Sequence, residues 1–402
     1  MKIENNLELV HKNFYELGLL LSSDRKVITE IAEVLNVSHD KIQRDFNKSS
    51  QSIEKEKEEL ILQAQKTFKR KQVTIIVDDT AISKPYAHDI EGLDVVFDSN
   101  KKQCTVGMVA ITVILTDGTT HLPVYANLHY SKKISKKNYV PKSLCILGLC
   151  KELMGKFNIK RVIADAHYTN AEVFKELKKL GINFLNKIPR NRIIEYRGKK
   201  EQVNQLCKLK KNQRTRRIRA LFKGVICYIY AVKYDSDTIN YYVSSEKIDR
   251  KKIAEIYKGR WVIEKFHRTA KQKLGLQQCQ ARSATKQLLH VLNVMKAYQN
   301  AELIRRKEGL KTVDSAIKYC RKLKSKILQL DWAELCRTFR RCVTYDTTAN
   351  ELENYSSTLE TQAMVNVPSN SLPIASQDDQ LDFTIPFCDQ INDTIFDDDP
   401  SE

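Results

Sequence analysis

Residues 253–276 read Ile-Ala-Glu-Ile-Tyr-Lys-Gly-Arg-Trp-Val-Ile-Glu-Lys-Phe-His-Arg-Thr-Ala-Lys-Gln-Lys-Leu-Gly-Leu. Wound as one α-helix, this stretch sets Tyr257, Arg260, Glu264 and Lys271 at offsets of three, four and seven, an acid between two bases on one stripe. A surface ladder of ion pairs has the same spacing and contributes little. Two carboxylates upstream widen the chemistry. Asp79, with Asp78 beside it, follows the apolar run at 73–77, and Asp165 follows Val162-Ile-Ala164. Taken singly, such an Asp is more often a turn former or helix cap than a metal ligand. Taken together with Glu264, they supply three carboxylates from three elements, the set that two-metal phosphoryl transfer uses. Oxygen ligands of this kind suit a hard cation such as Mg²⁺. Side-chain direction does not choose between Asp78 and Asp79.

The elements that must position these groups follow from periodicity. β-Branched runs at 73–77 and 106–115 read as strands, the second turning at Asp117-Gly118 into a partner at 120–125. A helix over 140–157, a strand over 161–164, a helix over 170–180 closed by Gly181 and a strand over 183–188 complete an α/β layer. Residues 189–250 break the alternation. They are dense in Lys and Arg from 190 to 219, then show two strands at 224–233 and 239–243 around a turn at 235–237, which together read as a basic β-rich insertion.

Upstream, Ile28, Ile31, Ala32 and Leu35 share a helical face, Asn36-Val37 turns, Ser38 can cap, and Ile42 and Phe46 resume the face. This helix-turn-helix pattern would present Lys41, Gln43 and Arg44, among others, to solvent or a major groove. A charged helix bridges 50–71. Downstream, 281–307 and 313–341 are helical. The resulting division is a helical DNA-binding domain at 1–71, a catalytic core at 72–188 and 251–280, the insertion at 189–250, C-terminal helices at 281–345, and an acidic, disordered tail at 346–402.

Charge favours nucleic acid as the partner, although a ribosome-like or chaperone-like role would also explain it. The formal charge is +19, yet no Lys or Arg follows Arg341, and thirteen Asp and Glu lie from Asp346 onward, so residues 1–345 carry +32. Such a body attracts a polyanion, and nucleic acid releases counterions on contact. No apolar run is long enough for a membrane span and no signal core opens the chain, so a cytoplasmic, nucleoid-associated location is expected. The ten Cys show no zinc spacing and read as small buried residues.

Asp79-Thr80, Ala164-Asp165 and Tyr257-x2-Arg260-x3-Glu264-x6-Lys271 resemble the DDE transposases of bacterial insertion sequences, in the insertion-sequence-four group with its Tyr-Arg-Glu-Lys signature. The resemblance spans about residues 73–280. It implies a ribonuclease-H-like core interrupted by a β-rich insertion, with Asp79, Asp165 and Glu264 as catalytic metal ligands. Asp79 is preferred over Asp78 because the family's first acid directly precedes a Thr. It further implies two Mg²⁺ ions, replaceable by Mn²⁺, and Tyr257, Arg260 and Lys271 on phosphates of a transposon end. The partners would be terminal inverted repeats and target DNA, with a homodimer on two ends. An insertion aromatic, Tyr241 or Tyr242, would stack on a flipped base; the usual Trp is absent. Trp261 reads as packing, Trp332 as core or interface, and His267 and Arg268 either reach DNA or form a solvated face. The competing readings are a non-catalytic DNA-binding derivative and a ribonuclease-H-like nuclease.

Overall fold

The β-branched run at 73–77 does form a strand, but the strand continues to Ser83, because the two neighbours of that strand differ in length. In the computed structural model, which describes residues 14–49, 53–98, 102–234 and 238–327, β1 (Gln72–Ser83) lies between two partners. β3 (Gln103–Thr116) pairs with it antiparallel from Thr74↔Thr116 to Ser83↔Gly107. β5 (Asn158–Ala164) pairs parallel and stops at Val77↔Ala164. Asp78 and Asp79 thus lie mid-strand, one and two residues past the point where the sheet loses a neighbour.

Four helices precede the sheet: α1 (Phe14–Leu21), α2 (Ile28–Leu35), α3 (His39–Ser49) and α4 (Ile53–Thr67). The remaining elements are β2 (Asp94–Asp98), β4 (His121–His129), α5 (Lys132–Ser135), α6 (Lys142–Leu153), α7 (Ala171–Lys179), β6 (Asn183–Lys187), β7 (Ile193–Tyr196), β8 (Lys199–Gln202), α8 (Val203–Leu206), β9 (Thr215–Phe222), β10 (Val225–Lys233), β11 (Ile239–Ser244), α9 (Ile253–Lys258), α10 (Trp261–Lys273), α11 (Ala284–Lys307) and α12 (Val313–Ile327). One sheet of eleven strands runs β2-β3-β1-β5-β6-β11-β10-β9-β7-β8, with β4 also on β3. The fold is mixed α/β with a large sheet. The β-rich insertion joins that sheet rather than standing beside it, through Tyr242↔Lys187 between β11 and β6. Its arginine-dense part hides strands because only alternate residues of β9, such as Ile218 and Ala220, turn inward.

The pleat of β1 feeds two cores. Ile76 and Ile82 pack with Met108, Ala110 and Ile114 beneath Ile263 and Phe266 of α10. Ile75 and Val77 pack with Ile111 and Val113 against Ile146 and Leu149 of α6 and Phe174 of α7. α11 runs through the first core, buried from Leu289 to Ile304, and its polar groups are paired. Lys296 Nζ donates to Glu56 and Glu59 of α4, both at 2.5 Å, and Asn300 Nδ2 to Glu16 of α1 at 2.5 Å. These bonds fasten the N-terminal helices to the core. Asn36, the turn residue between α2 and α3, adopts φ 52°, ψ 47°, a left-handed conformation asparagine tolerates.

The stretch at 253–276 is two helices. Bonds from Gly259 N to Ile256 O (3.1 Å), Arg260 N to Tyr257 O (2.9 Å) and Ile263 N to Arg260 O (3.0 Å) tighten the chain into a 3₁₀-like joint. The expected tail at 346–402, Trp332, the turn at 235–237 and the second helical segment beyond α12 lie outside the described residues. The described cysteines are free, and Cys150, Cys207, Cys227, Cys279 and Cys320 are buried. Among the described residues no helix is long and apolar enough to cross a membrane.

Candidate active site

Register decides which acid faces which helix. Asp78 pairs with Thr112 and Asp79 with Ile111. Thr112 Oγ1 lies 2.7 Å from Nε2 of His267 on α10, whereas Ile111 belongs to the core under α6. Consecutive strand residues point to opposite faces, so Asp78 looks toward α10 and Asp79 away from it.

On the α10 face, Arg260 Nη1 donates to Asp78 Oδ2 at 2.7 Å, and Nη2 donates to Glu264 Oε1. Asp165 is on the same face. Val77 and Ala164 are register partners on adjacent parallel strands, so the residues after them, Asp78 and Asp165, are neighbours across the roughly 4.8 Å between strands. Tyr257 Oη donates to Asp165 Oδ1 at 3.3 Å, and the Arg260 guanidinium lies 5.9 Å from the Tyr257 ring centroid. One cation therefore sits among three carboxylates and a phenol.

The electrostatics record that crowding. Burial pushes the Asp78 carboxyl up to about 7; Arg260 opposes the rise while Asp79 and Asp165 reinforce it. Burial alone would lower the Arg260 guanidinium, yet Tyr257, Asp78, Asp165 and Glu264 hold it above its ordinary value. The donors are all carboxylate oxygens, which fit a hard divalent cation, and the guanidinium stands in for one. Arg260 also separates the acids: among the described residues no three His, Cys, Asp or Glu side chains are grouped closely enough to hold a metal. The Arg260 Nε is a buried donor with no partner in the protein.

Asp79 is not brought to this cluster. Lys142 Nζ lies 2.8 Å from its Oδ2, and Tyr168 Oη donates to Oδ1 at 2.8 Å. Burial would raise this carboxyl, but Lys142 and Tyr168 hold it below its usual value. The structure thus sets Asp78, and not the expected Asp79, beside Arg260 and Glu264, because the pleat turns Asp79 to the other face of β1. Both faces of β1 carry apolar residues, so the sequence has no polar alternation that could reveal the direction. Lys142 and Tyr168 were not singled out; an acid-free lysine cluster just before Lys142 is the signal that existed.

The remaining residues divide as follows. Lys271 is half-buried; burial lowers its ammonium, and Asp98 opposes that. His267 is buried on Thr112, and burial, followed by nearby Lys271, pushes its imidazole down to about 3, so it is neutral and turned inward rather than part of a solvated face. Arg268 is exposed. Trp261 is 57% exposed beside Arg260, not packed. Tyr241, by contrast, is 7% exposed and lies in the core under α6 and α7, which corrects its assignment as a stacking residue. Tyr242 is buried too, its hydroxyl 2.7 Å from that of Tyr234 and its ring 4.8 Å from Tyr257. On α3, Arg44 is exposed, Gln43 half-buried, and the Lys41 ammonium lies 4.3 Å from the Phe14 ring centroid.

Carboxylates gathered where β5 ends beside β1, around an arginine at the start of α10, are of the kind that phosphoryl-transfer sites use. Residues 69–299 match the family described as the transposase DDE domain, and the chain belongs to that family. It is a DNA-binding transposase, an enzyme that cleaves DNA and transfers strands, with chemistry of the kind that uses divalent metal ions. No curated protein matches. Among solved structures, the chain is similar to one described as a cryo-EM structure of the piggyBac transposase synaptic complex with hairpin DNA, at 10% identity and TM-score 0.47, covering 84% of this chain and 76% of that one. It is also similar to the NurA nuclease from Sulfolobus solfataricus, at 11% identity and TM-score 0.25, covering 46% and 71%. Likenesses this distant carry no argument.

Proposed function

We propose that Asp78, Asp165 and Glu264 are the catalytic carboxylates, holding Mg²⁺ ions, two of them, with Mn²⁺ able to substitute. The observation that carries this reading is the convergence of Asp78 and Glu264 on one guanidinium, with Asp165 on the adjacent strand. Bound there, the metal supplies an activated water and charge compensation at the leaving oxygen. With a cation held by the acids, Arg260 would be free to fork onto a DNA phosphate, and its Nε, unpartnered in the protein, would be a further donor there. Tyr257 orients Asp165 through its hydroxyl, and Lys271 supplies a point charge further along α10. Hydrolysis at an element end frees a 3′-hydroxyl, which then attacks target DNA in line.

The finer family placement belongs to the same proposal: the insertion-sequence-four group with its Tyr-Arg-Glu-Lys signature, a ribonuclease-H-like core, and a homodimer on two terminal repeats. Support for the core comes from strand order: antiparallel β3 and β4 lie on one side of β1, and parallel β5 and β6 on the other. We assign DNA reading to α2 and α3, with Arg44 as the exposed contact and Gln43 and Lys41 beside it. Trp261 takes the stacking role in place of Tyr241, since it is the exposed ring next to the acids. Glu264→Ala should abolish metal-dependent cleavage of DNA carrying the element's ends while binding persists. Undiminished cleavage by that variant would refute the assignment.

A further inference from the structure

Residues 131–142 read Ser-Lys-Lys-Ile-Ser-Lys-Lys-Asn-Tyr-Val-Pro-Lys, five lysines without an acid. The reaction as derived above uses none of them, yet the segment is constructed. Ser131 Oγ donates to Asp94 Oδ2, and Ser135 Oγ to Tyr130 O at 3.3 Å. His129 Nε2 lies 3.0 Å from Val140 O, and its ring meets Tyr139 edge-on at 5.8 Å. The Lys132 ammonium stands 5.6 Å from the Tyr139 ring centroid.

Both ends of the segment reach the mouth of the sheet. β4 runs parallel to β1 and ends at His129, which is level with Val109 of β3 and hence with Ala81, three residues or roughly 10 Å beyond Asp78. The other end returns through Lys142 to Asp79, the immediate neighbour of Asp78 in sequence. In between, Lys133, Lys136 and Lys137 are exposed, and among the described residues none of the three forms an ion pair. Three cations within five residues repel one another, and no ion pair among the described residues relieves them. A phosphate backbone does.

We propose that residues 131–142 form a DNA-backbone clamp at the mouth of the active site, on the face opposite α10, with the Lys142–Asp79 pair anchoring it to the catalytic strand. It takes phosphates of duplex flanking the scissile bond without reading bases. The proposal rests on the chain acting on DNA. The test uses the full chain without divalent metal, a random-sequence duplex, and Kd measured by anisotropy against salt. With about 0.9 counterion released per phosphate contact, Lys133→Ala/Lys136→Ala/Lys137→Ala should reduce the slope of log K against log salt by about 2.7. The triple Arg variant should keep the native slope, which separates charge from side-chain shape. An Ala variant with the native slope overturns the clamp and leaves the transposase reading intact. Should the native chain itself show no salt-dependent DNA binding, both fall.

Discussion

Asp78 and Asp79 are adjacent in sequence and face opposite sides of β1, and paired Asn substitutions test the roles proposed for them. Asp78→Asn removes one negative charge from a cluster whose side chains are 18% exposed at Asp78 and 13% at Arg260. At about 4 Å and an effective dielectric near 20, one unit charge is felt as about 4 kcal/mol. If the transition state loses that much, cleavage falls by about 10³-fold. Asp79→Asn breaks an ion pair whose side chains are 35% and 24% exposed, and the amide oxygen still accepts from Tyr168. A pair this exposed contributes about 0–1 kcal/mol, so stability changes little and cleavage at saturating DNA stays within about fivefold. The assay is strand cleavage of end-containing DNA in Mg²⁺ at enzyme excess, alongside urea melts of each variant. Loss of cleavage in Asp79→Asn with retention in Asp78→Asn would refute the facing argument outright.

Two further outcomes follow from burial. Trp261→Ala should change stability by less than about 0.5 kcal/mol yet lose about 1–3 kcal/mol of stacking, read by 2-aminopurine fluorescence at the element end, whereas Tyr241→Ala should cost about 3–5 kcal/mol of stability in a melt. Equal melts for the two would contradict their placement. Burial pushes the Glu16 carboxyl from 4.5 up to about 7. Between those values the unfolded chain is ionised while the folded chain keeps its proton, so native stability falls as pH rises and levels off above 7. Glu16→Gln should therefore match the native protein near pH 4 and exceed it at pH 8 by up to about 3 kcal/mol, measured by denaturant melts. An identical difference at both pH values would show that Glu16 does not carry this penalty.

The acid-and-base stripe from Tyr257 to Lys271, the carboxylates at 78–79 and 165 and the basic insertion were legible in the residues because each rests on local spacing, although the stripe folds as two helices and Asp78 and Asp79 lie inside β1. The main strands and helices between 106 and 188 were legible for the same reason, whereas β1 overran its expected end, and β2, β7 and β8 are too short and β9 too rich in arginine for an apolar pattern to mark them. What the chain could not reveal locally was direction. In a strand apolar on both faces, periodicity does not say which of Asp78 and Asp79 meets Glu264, and only the register against β3 and β5 decides. Nor could composition tell a buried Tyr241 from an exposed Trp261, since both types pack or stack equally well. Residue types and spacing thus determined which chemistry this protein carries. Long-range strand pairing, which at Asp78 and Asp79 joins residues over thirty positions apart, determined which side chains face one another.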